Sequence, residues 1–243
     1  MKVSVAQINP IKGDIESSIN HHLKFIRKAT EHNVELIVFP ELSLTGYEPE
    51  LAKNLALNVN DKRLNVFQKY SDENNLTIGI GSPTFNNGFI FISMIILQPF
   101  KERLVYSKTN LFHSELDIFS PGSDNLVVHF ENGENFTPAI CYDISDPEHS
   151  FIAKNNNTSL YIASVLNSIS GVDDDLKKLS HIAKNNQMNV MMANYIGQSG
   201  GYNCAGKSSV WNNKGQLIMQ MNNTDEGLII YDTNTEEGNI IIC

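Results

Sequence analysis

Val34-Glu-Leu-Ile-Val-Phe39 is a nearly continuous apolar run that stops at Pro40-Glu41. A strand of that kind is covered on both faces, as in a parallel sheet layered with helices. Upstream, Ile15, Ile19, Leu23, Ile26 and Ala29 recur at helical spacing behind Asp14, a good N-cap, and Asn33 closes the pattern. Before that helix, residues 2–9 place Val3, Val5 and Ile8 in a first strand that leaves through Pro10 and Gly13. Strand, helix and strand in succession predict a parallel pair joined by a crossover helix.

Downstream, Leu64, Phe67 and Tyr70 mark a second helix before a strand at 76–81. Residues 89–97 and 103–107 then read as strands about a turn at Pro99, and Asn86-Asn-Gly88 is a hairpin signal, so antiparallel pairing joins the parallel part. Strands at 125–130 and 136–141 flank a second Asn-Gly turn at Asn132-Gly133. A strand at 160–164, a helix at about 173–186 and a strand at 189–195 follow. The tail, with segments 208–211, 216–221 and 227–231 and a Lys214-Gly215 turn, reads as hairpins closing a sheet. No linker, low-complexity tract or internal repeat interrupts the pattern, so the expectation is one mixed α/β domain over residues 1–243.

A chain of 243 residues can bury a large core without staples. Its net charge of −9 and the lack of any basic run longer than Lys177-Lys178 argue against nucleic acid as a partner, since that affinity comes from clustered Lys and Arg. The longest apolar stretch, Phe89-Ile-Phe-Ile-Ser-Met-Ile-Ile-Leu97, is too short to cross a bilayer. The opening residues alternate apolar with polar, unlike the apolar block of a signal peptide. No membrane partner and a cytoplasmic location are therefore expected. Cys141, Cys204 and Cys243 are too few and too scattered for a disulfide framework, and no Cys-x-x-Cys or His-x-x-x-His offers a zinc site, so each thiol stands alone.

In layered α/β proteins ligands bind outside the carboxyl ends of the strands. Glu41 follows Ile-Val-Phe-Pro there, Lys108 follows Leu-Val-Tyr-Ser, and Cys141 follows Thr-Pro-Ala-Ile. A carboxylate, an ammonium and a thiol so placed suit nucleophilic chemistry, because a free thiol is scarcely ionised at neutral pH and needs a base or a cation beside it. The surrounding motifs, Phe39-Pro-Glu-Leu-Ser-Leu-Thr-Gly-Tyr47, Tyr106-Ser-Lys-Thr-Asn-Leu111 and Ala139-Ile-Cys-Tyr-Asp143, resemble in type and order the three signatures of the nitrilase, or carbon-nitrogen hydrolase, superfamily. Glu115-Leu-Asp-Ile-Phe-Ser-Pro-Gly122 is similar to the family's glutamate followed by Phe-x-Pro-Gly, and the likeness extends to Gly206-Lys-Ser-Ser-Val-Trp211 and Lys214-Gly215.

The resemblance implies a four-layer α-β-β-α sandwich of two mixed sheets, hydrolysis of a non-peptide C–N bond, no cofactor or metal, and a homodimer. It implies Cys141 as nucleophile, Glu41 as base, Lys108 with the backbone N–H of Tyr142 as the oxyanion site, and Glu115 orienting Lys108. A glutamate serving as base and then as acid should have its pKa raised by burial. The expected partners are a small linear amide or carbamoyl compound and water. Tyr47, Glu48, Phe112, His113, Tyr142, Val165 and Asn167 are expected to line the pocket, with Glu48 and Asp143 favouring a cationic amine end. Nitrile hydrolysis, or a silent dimeric binding or scaffold member, are the alternatives.

Cys204 and Cys243 are expected to pack. His21, His22, His149 and His181 fall on helical stretches and are expected to face solvent, which sets aside a Cys141–His149 dyad; His129 falls in a strand. Asp173-Asp-Asp175 reads as an N-cap and first helical turn, not a metal site. The family's Arg-Ala and Glu-Asn pairs are replaced in His181-Ile-Ala-Lys-Asn-Asn-Gln187, where Ile182 and Asn185 stand in place of charges, and Asp146 stands where an aromatic is common.

Overall fold

The structure, a computed structural model, describes residues 1–123 and 125–243. β1 (Lys2–Gln7) and β2 (Leu36–Val38) pair in parallel, with Val5 opposite Val38. They are joined by α1 (Ile15–Glu31), whose buried face carries the periodic apolar residues. The Asp14 carboxylate caps α1 by accepting the Ser17 N–H at 3.0 Å. After the helix Asn33 takes φ 56°, a left-handed position that asparagine tolerates, and turns the chain into β2.

α2 (Ala52–Leu55) and α3 (Asn65–Asn74) lead to β3 (Thr77–Asn86), parallel to β2. β3 is longer than its apolar pattern suggests because it runs on into a hairpin with β4 (Phe89–Leu97). Asn87 and Gly88, both at positive φ, make the turn that strand twist favours. β5 (Leu104–Ser107) adds an antiparallel edge.

The chain then builds a second sheet from β6 (Val128–His129), β7 (Asn135–Ile140), β8 (Leu160–Ser164) and β9 (Asn189–Ala193), with α4 (Pro147–Asn155) and α5 (Val172–Asn186) as crossovers. β6 covers only part of 125–130, since Val128 and His129 alone meet partners in β7. β10 (Gln198–Ser199) and β11 (Tyr202–Asn203) form a small hairpin, and β12 (Ser209–Trp211) and β13 (Leu217–Gln220) complete the sheet. β14 (Gly227–Asp232) and β15 (Glu237–Ile242) return to the first sheet beside β1. β15 is a mostly exposed edge strand whose apolar residues are confined to its end, Ile240, Ile241 and Ile242, a run too short to mark a strand in the sequence.

Among the described residues the strand orders are β15-β14-β1-β2-β3-β4-β5 and β13-β12-β9-β8-β7-β6. The sheets meet face to face, β1 on β9 and β4 on β7, while α1 and α3 cover the first sheet and α5, with α4 beside it, covers the second. The expected α-β-β-α sandwich is thus the observed architecture. Ile182 packs under α5 with Leu179, Ala183 and Trp211, so an apolar side chain fills the place where the family carries a charge. Asp146 caps α4 by accepting the Glu148 N–H at 2.9 Å. Cys204 is buried, whereas Cys243 is exposed after the edge strand and does not pack as expected. Among the described residues no helix is long and apolar enough to cross a membrane.

Gly81 of β3 lies against the turn that carries Glu41. A Cβ there would collide with the Pro40 carbonyl oxygen and the Leu42 nitrogen, backbone atoms that cannot swing aside. Gly81→Ala is expected to cost about 1–3 kcal/mol, the usual range for overpacking. Urea denaturation reads this as a lower midpoint at unchanged m-value; an unmoved midpoint would show that the turn is free to shift.

Candidate active site

The Glu41 turn is held from both sheets. Leu42 takes φ 52°, and the Leu44 N–H donates to the Gly81 carbonyl at 2.9 Å. His22 is buried beneath it, correcting the expected surface position. The Ser18 carbonyl at 2.7 Å can only accept, so His22 Nδ1 carries the hydrogen and Nε2 accepts the Ser43 hydroxyl at 2.9 Å. Ser43 Oγ in turn accepts the Gly81 N–H at 3.1 Å. Burial drives the His22 pKa down to about 3, which keeps the ring neutral. From the second sheet, Tyr195 O–H donates to the Glu41 carbonyl at 2.7 Å and Ser164 O–H to the Phe39 carbonyl at 2.8 Å.

Lys108 follows β5, and its Nζ lies 2.8 Å from Glu41 Oε1 and 2.8 Å from Glu115 Oε1. All three side chains are essentially without solvent contact. Glu115 sits in a 3₁₀ turn, His113–Glu115, and also accepts Tyr47 O–H at 2.7 Å and the Phe112 N–H at 2.7 Å. Glu41 Oε2, by contrast, is buried with no hydrogen-bond partner among the described residues. Burial lifts the Glu41 pKa to about 7, against the pull of Lys108 and with the repulsion of Glu115. Burial alone would lower the Lys108 pKa, but Glu41, Cys141 and Glu115 outweigh it and raise it, so the ammonium stays charged.

β7 ends at Ile140, and Cys141 opens a 3₁₀ turn, Cys141–Ser145, with φ 43°. That conformation is uncommon for a side chain with a Cβ and persists only where its surroundings enforce it. Cys141 Sγ donates to the Leu166 carbonyl at 3.8 Å. The thiol is close enough to Glu41 to help lower the carboxyl's pKa, while burial and the Glu41 charge push its own pKa well up against the pull of Lys108.

A cavity of about 320 Å³ opens onto this array, a size suited to a small molecule. Of the expected lining, Tyr47, Phe112, Tyr142 and Asn167 border it together with Glu41, Glu115 and Cys141. Val165 does not: it points into the core beneath α5, and its neighbour Leu166 lines the cavity instead. His113 packs against Phe112 outside the lining, the two rings tilted with centroids 4.1 Å apart. Glu48 lies behind the wall, accepting Lys12 Nζ at 2.7 Å and the Gly200 N–H at 3.2 Å. Asp143 accepts five hydrogen bonds within the protein. Neither carboxylate is left to receive a cationic amine.

Several lining residues escaped the sequence reading. Tyr202, carried by the β10–β11 hairpin, meets Tyr47 edge to face with centroids 6.4 Å apart. Asp174, Asp175 and Lys178 of α5 also border the cavity. The acidic triplet does form the first turn of α5, but the N-cap is Gly171. The run of charge was the available signal for this rim, and helix-dipole stabilisation explained it equally well.

Residues 2–238 match the carbon-nitrogen hydrolase family. The chain belongs to that family. A glutamine-dependent NAD(+) synthetase of Acinetobacter baylyi is 27% identical over 97% of this chain and 44% of its own length. A nitrilase of Pyrococcus abyssi is 22% identical over 93% of this chain and 87% of its own. The chain thus spans less than half of the first relative. The fold matches that of an amidase from Nesterenkonia sp. AN1 with a TM-score of 0.84, at 21% identity over 96% of this chain and 92% of that one. Variants of that amidase have been solved with acrylamide added at the active-site cysteine and in complex with butyramide.

In this member of the carbon-nitrogen hydrolase family, Lys108 is, among the described residues, the cation that offsets two buried carboxylates. Lys108→Met is expected to cost about 3–5 kcal/mol at pH 8, the range for breaking a buried ion pair, and less at pH 5, where the orphaned carboxylates can take up protons. Urea denaturation at both pH values checks the magnitude and sign. A variant as stable as the parent at pH 8 would remove Lys108 from this role.

Proposed function

We propose that this protein is a cofactor-free hydrolase of small linear amides acting through a Cys141 thioester. The observation that carries the reading is the buried Glu41 carboxyl within interaction distance of the Cys141 thiol, with its Oε2 engaged by no conventional hydrogen-bond donor among the described residues. Glu41 takes the thiol proton as Sγ attacks the amide carbonyl and the C–S bond forms. Lys108 has three N–H donors, of which the two glutamates engage two, leaving the third for the tetrahedral oxyanion. The Tyr142 N–H is the second donor, since the turn opening at Cys141 supplies its first amides with no internal acceptor. Losing one such donor typically costs about 100- to 1,000-fold in rate.

As the intermediate collapses, the C–N bond breaks and Glu41 returns its proton to the departing nitrogen. Water then attacks the thioester, giving a proton to Glu41; the C–S bond breaks and the proton returns to sulfur. Glu115 holds Lys108 and, by repulsion, favours the protonated form of Glu41. The small cavity walled by Tyr47, Phe112, Tyr142 and Leu166 suits a short carboxamide, and the butyramide bound by the Nesterenkonia amidase is of that scale. A homodimer belongs to this reading: exposed Phe151 on α4 borders an apolar groove with Ile182, a surface a second copy can cover.

Ammonia release from a panel of short aliphatic amides, ω-amides and N-carbamoyl amines is the direct assay, and Cys141→Ala should abolish it. Continued turnover by that variant would overturn the mechanism. Because Glu41 must be ionised to accept the thiol proton and its pKa is about 7, kcat/KM should rise with pH through about 7. A flat profile from about pH 6 to 8 would exclude Glu41 as the base.

A further inference from the structure

Asp143 stands two residues beyond Cys141, yet most of its donors come from the segment that carries Lys108. Oδ1 accepts the Thr109 N–H at 3.1 Å, the Thr109 hydroxyl at 3.0 Å and the Asn110 N–H at 2.8 Å. Oδ2 accepts Tyr106 O–H at 2.7 Å, and the Ile140 N–H at 2.9 Å from the end of β7. One carboxylate therefore ties residues on both sides of Lys108 to residues on both sides of Cys141.

Behind it runs a chain of buried side chains. Tyr106 has a single hydroxyl hydrogen, directed at Asp143, so its oxygen must accept from His149 Nε2–H, 2.8 Å away. His149 Nδ1 is then the acceptor for Tyr161 O–H at 2.8 Å. Three hydrogen bonds point the same way, from Tyr161 through His149 and Tyr106 to Asp143, an arrangement in which each polarises the next. His149 is 3% exposed, not on a solvent-facing helix surface as its sequence position suggests. Burial lowers its pKa and favours the neutral ring that this direction requires.

We propose that the Tyr161–His149–Tyr106–Asp143 relay is a positioning device that locks the Lys108 segment to the strained Cys141 turn, fixing the ammonium against the thiol. None of the four borders the cavity, so each acts through Lys108 and Cys141 and not on substrate. The inference rests on the proposed roles of those two residues. Tyr106 brings β5 of the first sheet to the relay, while His149 and Tyr161 bring α4 and β8 of the second side, so the device spans the junction on which the site is built.

The test compares Tyr106→Phe, His149→Phe and His149→Gln with the parent enzyme, following amide turnover and the iodoacetamide labelling rate of Cys141 relative to Cys204. Small misplacements of reacting groups cost up to about 100-fold, so the two Phe variants, folded by circular dichroism, should lose about 10- to 100-fold in kcat with KM within about twofold. Labelling of Cys141 should slow in parallel. His149→Gln, which keeps a donor toward Tyr106, should recover most of both. Unchanged kcat and labelling in the Phe variants, or a Gln variant as impaired as the Phe variant, would overturn the proposal. If His149→Phe does not fold, Tyr161→Phe, which removes one oxygen, is read the same way. If the parent hydrolyses no amide, the functional reading fails by itself, and the labelling ratios still decide for or against the relay.

Discussion

Lys108 is, among the described residues, the cation buried between two carboxylates, and the surrounding structure answers to that arrangement. Burying ions is costly unless each is paired and its remaining hydrogen-bonding capacity is met. Glu115 satisfies the condition fully, through Lys108, Tyr47 and the Phe112 N–H. Glu41 does so by half, keeping one oxygen bonded to Lys108 and one with no conventional hydrogen-bond partner among the described residues. The three ions sum to a net negative charge, and Glu41, the less satisfied carboxylate, is the one whose pKa is lifted toward neutrality. The chain needs both sheets to assemble this: Glu41 and Lys108 come from strand ends of the first, Cys141 from a strand end of the second.

Holding side chains from two sheets to such tolerance requires rigid turns, and each is braced by a neutral, buried histidine. His22 bonds Ser43 beneath the Glu41 turn, and His149 bonds Tyr106 behind the Lys108–Cys141 junction. Both turns contain a residue at positive φ, Leu42 and Cys141, and such backbone persists only when its neighbours over-determine it. A fully satisfied polar network can do this where apolar packing cannot, because hydrogen bonds fix direction as well as distance.

These braces were the least legible part of the sequence. Apolar periodicity exposed α1, the run 34–39 exposed β2, and Asn86-Asn-Gly88 exposed the β3–β4 hairpin, because each signal lies within a few residues of what it specifies. Glu41, Lys108 and Cys141 were legible because strand ends and family-like motifs mark them. His22 and His149 were not: their partners lie 21 and 43 residues away, and a polar residue in a helix gives no local sign that a buried partner awaits it. Glu48 misled for the same reason, being consumed by Lys12 and the turn at Gly200. Val165 misled through its direction, since adjacent residues leaving a strand point to opposite sides and Leu166 took the cavity.

The burial that raises Glu41 also raises Cys141, and this constrains how the proposed chemistry proceeds. With the carboxyl pKa about 7 and the thiol well above its ordinary value, the resting pair at slightly alkaline pH is carboxylate and thiol, not carboxylic acid and thiolate. A preformed thiolate beside two carboxylates would add a third negative charge around one ammonium. The proton must therefore leave sulfur as the new C–S bond forms, when negative charge passes onto the carbonyl oxygen and within reach of Lys108. In the proposed mechanism that transfer needs an acceptor with a vacant lone pair at the moment of attack, and Glu41 Oε2, which has no conventional hydrogen-bond partner among the described residues, can serve as one.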